Sequence, residues 1–281
     1  MMTGQDYHNV RPSAIAGRWY TADPTRLTAT LSAMLDNAPQ IEVPGAIIGL
    51  VVPHAGYMYS GPVAARAFKQ IKGMSFEYVV VVSPMHHPYP NPLLSTSHDA
   101  YETPLGVIEV DHNALEALNR HIPITPVSRD PEHALEIELP FLQLVLEGPF
   151  RLVPLMIRKQ TSHVCLDLGR AIAREVAPRG STLLIASSDL SHYYADHVAR
   201  QLDEIMLAHI ASGDPERVIR ADQSGEAFAC GRGAIATVLE AARQMGAAHI
   251  QIVGYATSAD MNGEYHRVVG YGAAVISQLG R

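Results

Sequence analysis

Tyr78-Val79-Val80-Val81-Val82-Ser83-Pro84-Met85-His86-His87 is a β-branched run that breaks at Ser-Pro and delivers two imidazoles to the loop beyond. Four consecutive valines read as a strand covered on both faces, because a half-exposed strand alternates apolar with polar residues. The same pattern recurs twice. Residues 47–52 are apolar and run into Pro53-His54-Ala55-Gly56-Tyr57; residues 182–186 run into Ser187-Ser188-Asp189-Leu190-Ser191-His192. Titratable side chains just past the carboxyl ends of apolar strands sit where open α/β sheets hold their ligands.

Working outward, further strand-like runs fall at 152–157, weakened by Pro154, and at 250–255 and 268–276. Helical periodicity lies between them near 62–71, 112–120, 133–147, 162–176, 196–211 and 231–245. An earlier helix opens at Asp23-Pro24, a good cap followed by a residue suited to the first helical position. Its apolar residues Leu27, Leu31, Met34 and Leu35 keep helical spacing. Gly61-Pro62 reads as another helix start. Pro140 either kinks the 133–147 helix or marks its true beginning. Continuous apolar strands alternating with helices predict one α/β domain over 1–281, with a central, largely parallel or mixed sheet covered by helices. Residues 1–22, with Trp19 and Tyr20, read as an N-terminal arm docked on the body through its aromatics.

Composition excludes several classes. The chain has 281 residues, 47% of them hydrophobic, and a formal net charge of −7. No basic surplus and no long Lys/Arg cluster argue against a nucleic-acid partner. Two cysteines, Cys165 and Cys230, cannot form a disulfide framework and suit a reducing compartment. No apolar run spans a bilayer, and the first residues lack an apolar signal core. The expectation is a cytoplasmic protein.

Four groups of residues can carry chemistry. His54, between a rigid proline and a glycine, leaves its strand in a tight turn; a structural, hydrogen-bonded histidine is the plain alternative. Of the adjacent His86 and His87 at most one faces a site, and His86 lies nearer the strand end; His87 reads as a supporting or surface residue. Asp189 and His192 share a face if the segment is a helical turn, which makes an acid–base unit; Asp189 as a helix cap is the competing account. Cys230, ahead of Gly231-Arg232-Gly233 at a helix start, reads as a thiol of lowered pKa, against the alternative of a small buried residue. His133 and Glu136, three apart, form a weaker helical pair that a solvated face explains equally well. Phosphate loops, nucleophile elbows and His-Glu-x-x-His are absent from the sequence.

Taken together, Arg11-Pro12 with Gly17-Arg18-Trp19-Tyr20, Pro53-His54-Ala55-Gly56-Tyr57-x-Tyr59-Ser60-Gly61 and Ser83-Pro84-x-His86-His87 resemble the Memo family. Tyr101-x-Thr103-Pro104-Leu105-Gly106, Glu132-His133-Ala134-Leu135-Glu136-x-x-Leu139-Pro140-Phe141, Ser187 to His192 and Cys230-Gly231-Arg232 continue the match in order. The resemblance implies a fold similar to class III extradiol dioxygenases, enzymes that hold non-haem iron with two histidines and a glutamate. It implies His54 and His86 as metal ligands, Cys230 in place of the glutamate, and His192 as base with Asp189 beside it. A thiolate for a carboxylate softens the site and puts catechol cleavage in doubt. Iron (Fe2+) is the expected metal, copper the next and zinc the third. The resemblance also implies an association with a radical SAM protein and an AMMECR1-like protein, and links to peptide binding. The expected function is a metal-dependent oxidoreductase of unknown substrate. The alternatives are a module that binds a peptide or small molecule on a retired enzyme scaffold, and a metal-handling protein.

Overall fold

A computed structural model describes residues 7–279; residues 1–6 of the expected arm and 280–281 of the expected domain lie outside the described residues. In chain order the elements are β1 (Val10–Arg11), α1 (Pro24–Asn37), β2 (Ala46–Val52), α2 (Tyr57–Phe68), β3 (Tyr78–Pro84), β4 (Leu93–Thr96), β5 (Ala100–Thr103) and β6 (Gly106–Glu109). Then come α3 (His112–Asn119), β7 (Thr125–Val127), α4 (His133–Glu136), α5 (Leu139–Val145), β8 (Arg151–Ile157), α6 (Ser162–Glu175) and β9 (Thr182–Ser187). The chain closes with β10 (His192–Tyr194), α7 (Asp196–Ala211), α8 (Pro215–Ser224), α9 (Arg232–Gln244), β11 (His249–Thr257), α10 (Ala259–Asn262) and β12 (Val268–Gln278).

The main sheet runs β10-β12-β2-β9-β3-β8-β4-β7, with β11 paired to β12. Its centre, β2-β9-β3-β8, is parallel, and β12 joins β2 antiparallel. The sheet is therefore mixed with a parallel core. Val79 to Val82 are fully buried, as the unbroken apolar run requires. Helix α9 packs on β2, β3 and β9, with α6 against α9, while α2 packs on β2, β11 and β12. A small separate sheet, β1-β5-β6, carries the arm.

Pro154 sits inside β8, where a missing N–H should break a ladder. It pairs with Val81 in register, while its carbonyl turns toward β4 and accepts from Ser95 Oγ at 2.6 Å. The β4 ladder reaches only Met156 and Ile157, so no strand partner needs the lost donor.

Two helix expectations are corrected. Helix α2 begins at Tyr57, not at Gly61-Pro62, and Pro62 lies inside it. The residue whose carbonyl would lose its partner there, Met58, is 69% exposed, so the interruption falls on a solvent-facing part of the helix. The 133–147 pattern splits into α4 and α5, and Pro140 stands in the first turn of α5. It marks a start rather than a kink. Strands β4 to β7, the short β1 and β10 and helix α10 carry too few residues to show a period; the ten-residue α8 is long enough and lies outside the helical stretches read from the sequence.

Candidate metal centre

The carboxyl ends of β2, β3 and β9 open onto one space. Pro53 ends β2 and sets His54, which is 2% exposed. Its N–H donates to Asp189 Oδ1 at 2.7 Å, and its ring Nδ1 lies 2.9 Å from Ser187 Oγ. His86 follows β3 after the buried Met85. Its N–H donates to Glu132 Oε2 at 2.6 Å and its Nδ1 lies 2.9 Å from Glu132 Oε1. His133 opens α4, capped by the same Glu132, whose Oε1 lies 3.2 Å from His133 Nδ1. The ring-centre separations are 5.3 Å for His54–His86, 5.4 Å for His54–His133 and 4.7 Å for His86–His133. One ligand atom from each of the three lies within 4.8 Å of the others. All three Nδ1 atoms face protein partners, so Nε2 is the nitrogen left for an ion.

His133 is the residue the sequence undervalued. Its expected companion Glu136 faces away, binding Arg11, Ser13 and Tyr20. The informative neighbour is Glu132, one residue earlier. A carboxylate that binds the far nitrogen of His86 and lies 3.2 Å from that of His133 fixes the His86 tautomer and raises its donor strength. Its clue was the Glu-His dipeptide at a helix start.

Charge states suit neutral ligands. Burial, then the nearby His86, pushes His54 down to about 3. Burial, then His54, brings His133 to about 3 as well. Burial alone would raise Glu132, but its bonds to His86 and to backbone N–H groups hold it at about 2. A neutral imidazole keeps the lone pair that a metal needs. The donor set and its anchored outer nitrogens fit a transition metal.

Cys230 lies beside this cluster, its Sγ 3.1 Å from His54 Nε2 and 3.3 Å from the Asp189 N–H. Gly231 makes the close approach possible: a Cβ there would sit 2.4 Å from the Ser187 carbonyl oxygen. The expected lowering of the thiol pKa is corrected. Burial and the Asp189 charge push Cys230 well above the ordinary range. Arg232, the residue expected to lower it, pairs instead with Asp222 at 3.0 Å. Without an ion Cys230 is a thiol. Cys165 is buried in α6 and raised to about 12, first by burial, as a packing residue should be.

Asp189 and His192 do not share a helical turn. A loop joins β9 to β10, and His192 is the first residue of β10. The Asp189 carboxylate serves the His54 backbone, and no helix uses it as a cap. His192 Nδ1 instead lies 2.9 Å from the Leu190 carbonyl. A carbonyl accepts only, so His192 carries its proton on Nδ1 and presents a basic Nε2. Burial raises Asp189 to about 6 against the opposing pull of His192 and two backbone donors. Tyr193, next to His192, is 63% exposed and has a φ of 65°. That is an uncommon, strained conformation for a tyrosine.

The arm reaches this centre. The Trp19 ring lies 4.2 Å from that of His133, tilted by 38°, and the Trp19 carbonyl accepts from the Tyr57 N–H at 3.1 Å. Arg11 is fully enclosed, bonded to Asp130 at 2.7 Å, to Glu136 and to the Glu132 carbonyl. No described helix is long and apolar enough to cross a membrane.

A family model described as Memo-like protein matches residues 11–275. A MEMO1 family protein of Nitrosopumilus maritimus is 31% identical over 94% of this chain and 98% of its own length. One from Methanosarcina barkeri is 33% identical over 95% of this chain and 100% of its own length. One from Methanopyrus kandleri is 33% identical over 94% and 98%.

Proposed function

The chain belongs to the family of Memo-like proteins, and from that premise we propose that it is a metal-dependent oxidoreductase. The ion is held by His54 and His86, with Cys230 as third ligand and His133 as the flanking imidazole. The observation that carries this reading is the convergence of His54, His86 and His133 within 4.8 Å. Iron comes first by resemblance to the two-histidine iron sites of extradiol dioxygenases, with copper second and zinc third as ions that a thiolate also suits. When bound, such an ion supplies electron transfer to a substrate on an extradiol-dioxygenase-like scaffold, in a cytoplasmic protein.

The protein's own residues do the rest. Glu132 orients His86 and His133. Asp189 holds the His54 backbone and the Cys230 corner. His192, with Nε2 free, moves a proton at the substrate, and the charge of Asp189 stabilises it once protonated. The space between these groups takes a small molecule or a peptide side chain.

A second reading follows from two aromatics: Trp19 beside His133 and the exposed Tyr193 next to His192 suit a module that binds a peptide or small molecule without turnover, or one that only handles metal. Anaerobic purification with elemental analysis separates these. Iron or copper near one per chain, lost in His54→Ala and His86→Ala, together with substrate-dependent O₂ uptake, supports the oxidoreductase. Metal without O₂ uptake supports metal handling. Equal metal content in the wild type and both variants removes the site. Cys230→Ser and His133→Ala then decide the third ligand.

A further inference from the structure

Ser187, the last residue of β9, stands among three close neighbours. Its Oγ lies 2.5 Å from the Ala134 carbonyl oxygen, 2.9 Å from Glu138 Oε1 and 2.9 Å from His54 Nδ1. A hydroxyl owns one proton and two lone pairs. A carbonyl never donates, so the Ser187 proton belongs to Ala134. The two remaining neighbours must then donate into the Ser187 lone pairs. For His54 that places its proton on Nδ1. For Glu138 it requires a protonated carboxyl.

We propose that Glu138 is a positioning residue, held as a neutral carboxylic acid that donates to Ser187 and so fixes the His54 tautomer with its lone pair on Nε2. The consequence for metal binding rests on the reading above; the hydrogen-bond assignment does not. Burial outweighs the one opposing influence, a Ser187 hydrogen bond that would favour the charged form. Glu138 is 1% exposed and has no cation bonded to it among the described residues. A bare carboxylate so enclosed would carry a large desolvation cost. The Asp189 charge nearby adds to burial in favouring the neutral form. The relay Glu138–Ser187–His54 ends at the nitrogen that faces Cys230.

The test begins with metal-free wild-type protein labelled with ¹³C at glutamate carboxyls. Infrared difference spectra at neutral pH should show a label-sensitive protonated-carboxyl band that disappears in Glu138→Gln. Glutamate labelling keeps the buried aspartates out of that band. Nitrogen-15 spectra of the His54 ring, assigned by their loss in His54→Ala, should show hydrogen on Nδ1 in the wild type. Glu138→Gln retains an N–H donor and should keep that tautomer and the wild-type affinity for Fe(II). Glu138→Leu should mix the tautomers and weaken Fe(II) binding about tenfold or more. A wild type with no such band, or with the His54 proton on Nε2, overturns the assignment without any variant. Equal Fe(II) loss in Gln and Leu variants overturns the positioning role. If Fe(II) binds none of the proteins, the metal reading falls, while the band and the ring nitrogens still decide this one.

Discussion

Cys230 Sγ lies 3.1 Å from His54 Nε2, the one ring nitrogen that Ser187 leaves free. An ion on that nitrogen meets the sulfur at once. Because burial keeps the metal-free sulfur protonated, recruiting it as a ligand must expel a proton. Titration of the wild type with Fe(II) or Zn(II) near pH 7.5, in buffers of different ionisation enthalpy, should release about one proton per ion. Cys230→Ser should release none and bind more weakly. Zero release in the wild type would make His133 the third ligand.

His192 is fixed through the Leu190 carbonyl and has no bond to His54, His86 or His133. His192→Ala should therefore leave the metal content unchanged and lower any turnover by about a hundredfold, the ordinary contribution of a general base. Loss of metal in this variant would make His192 a ligand instead.

His133 is held at about 3, against 6.5 for a free imidazole. Between those values the unfolded metal-free chain takes up a proton there and the folded one does not. Folding at this residue is thus undisturbed above about 6.5 and penalised as pH falls through the window. His133→Gln escapes the penalty. In urea unfolding, the variant should gain on the wild type by up to about 1.4 kcal/mol per pH unit below pH 6.5. A stability difference that stays flat from pH 7 to 5 would mean that His133 titrates normally.

Arg11 is 1% exposed and serves Asp130 and Glu136 on either side of Glu132 and His133. Arg11→Met keeps the volume and strands two buried carboxylates, at a cost of about 3–5 kcal/mol. The Glu132–His133 corner should loosen with it. A lowered melting temperature accompanied by weaker metal binding is the expected outcome; normal metal affinity in a destabilised variant would uncouple the arm from the site.

The sequence carried the architecture a long way. The valine run at 79–82 and the apolar run at 183–186 announced strands buried on both faces, and strand ends placed His54, His86 and Asp189 near one another, because strand carboxyl ends in a parallel sheet share an edge. Periodicity also gave helices close to their observed bounds at His112–Asn119, Ser162–Glu175 and Asp196–Ala211. It failed for Pro62, where only the exposure of Met58 shows why a helix tolerates proline.

What the order of residues determined by itself was the fold class and the pair His54–His86, since apolar periodicity and strand ends are local properties of the chain, and, through the resemblance of its motifs, the family. Tertiary structure decided the rest. It turned Glu136 toward Arg11 and Glu132 toward two imidazoles, gave Asp189 to the His54 backbone rather than to His192, and set the Cys230 sulfur against His54 in a place where burial, not Arg232, governs its proton. Those outcomes depend on which side chains meet across 46 to 176 positions of sequence, and on how much water is left between them, and neither is written in any local pattern.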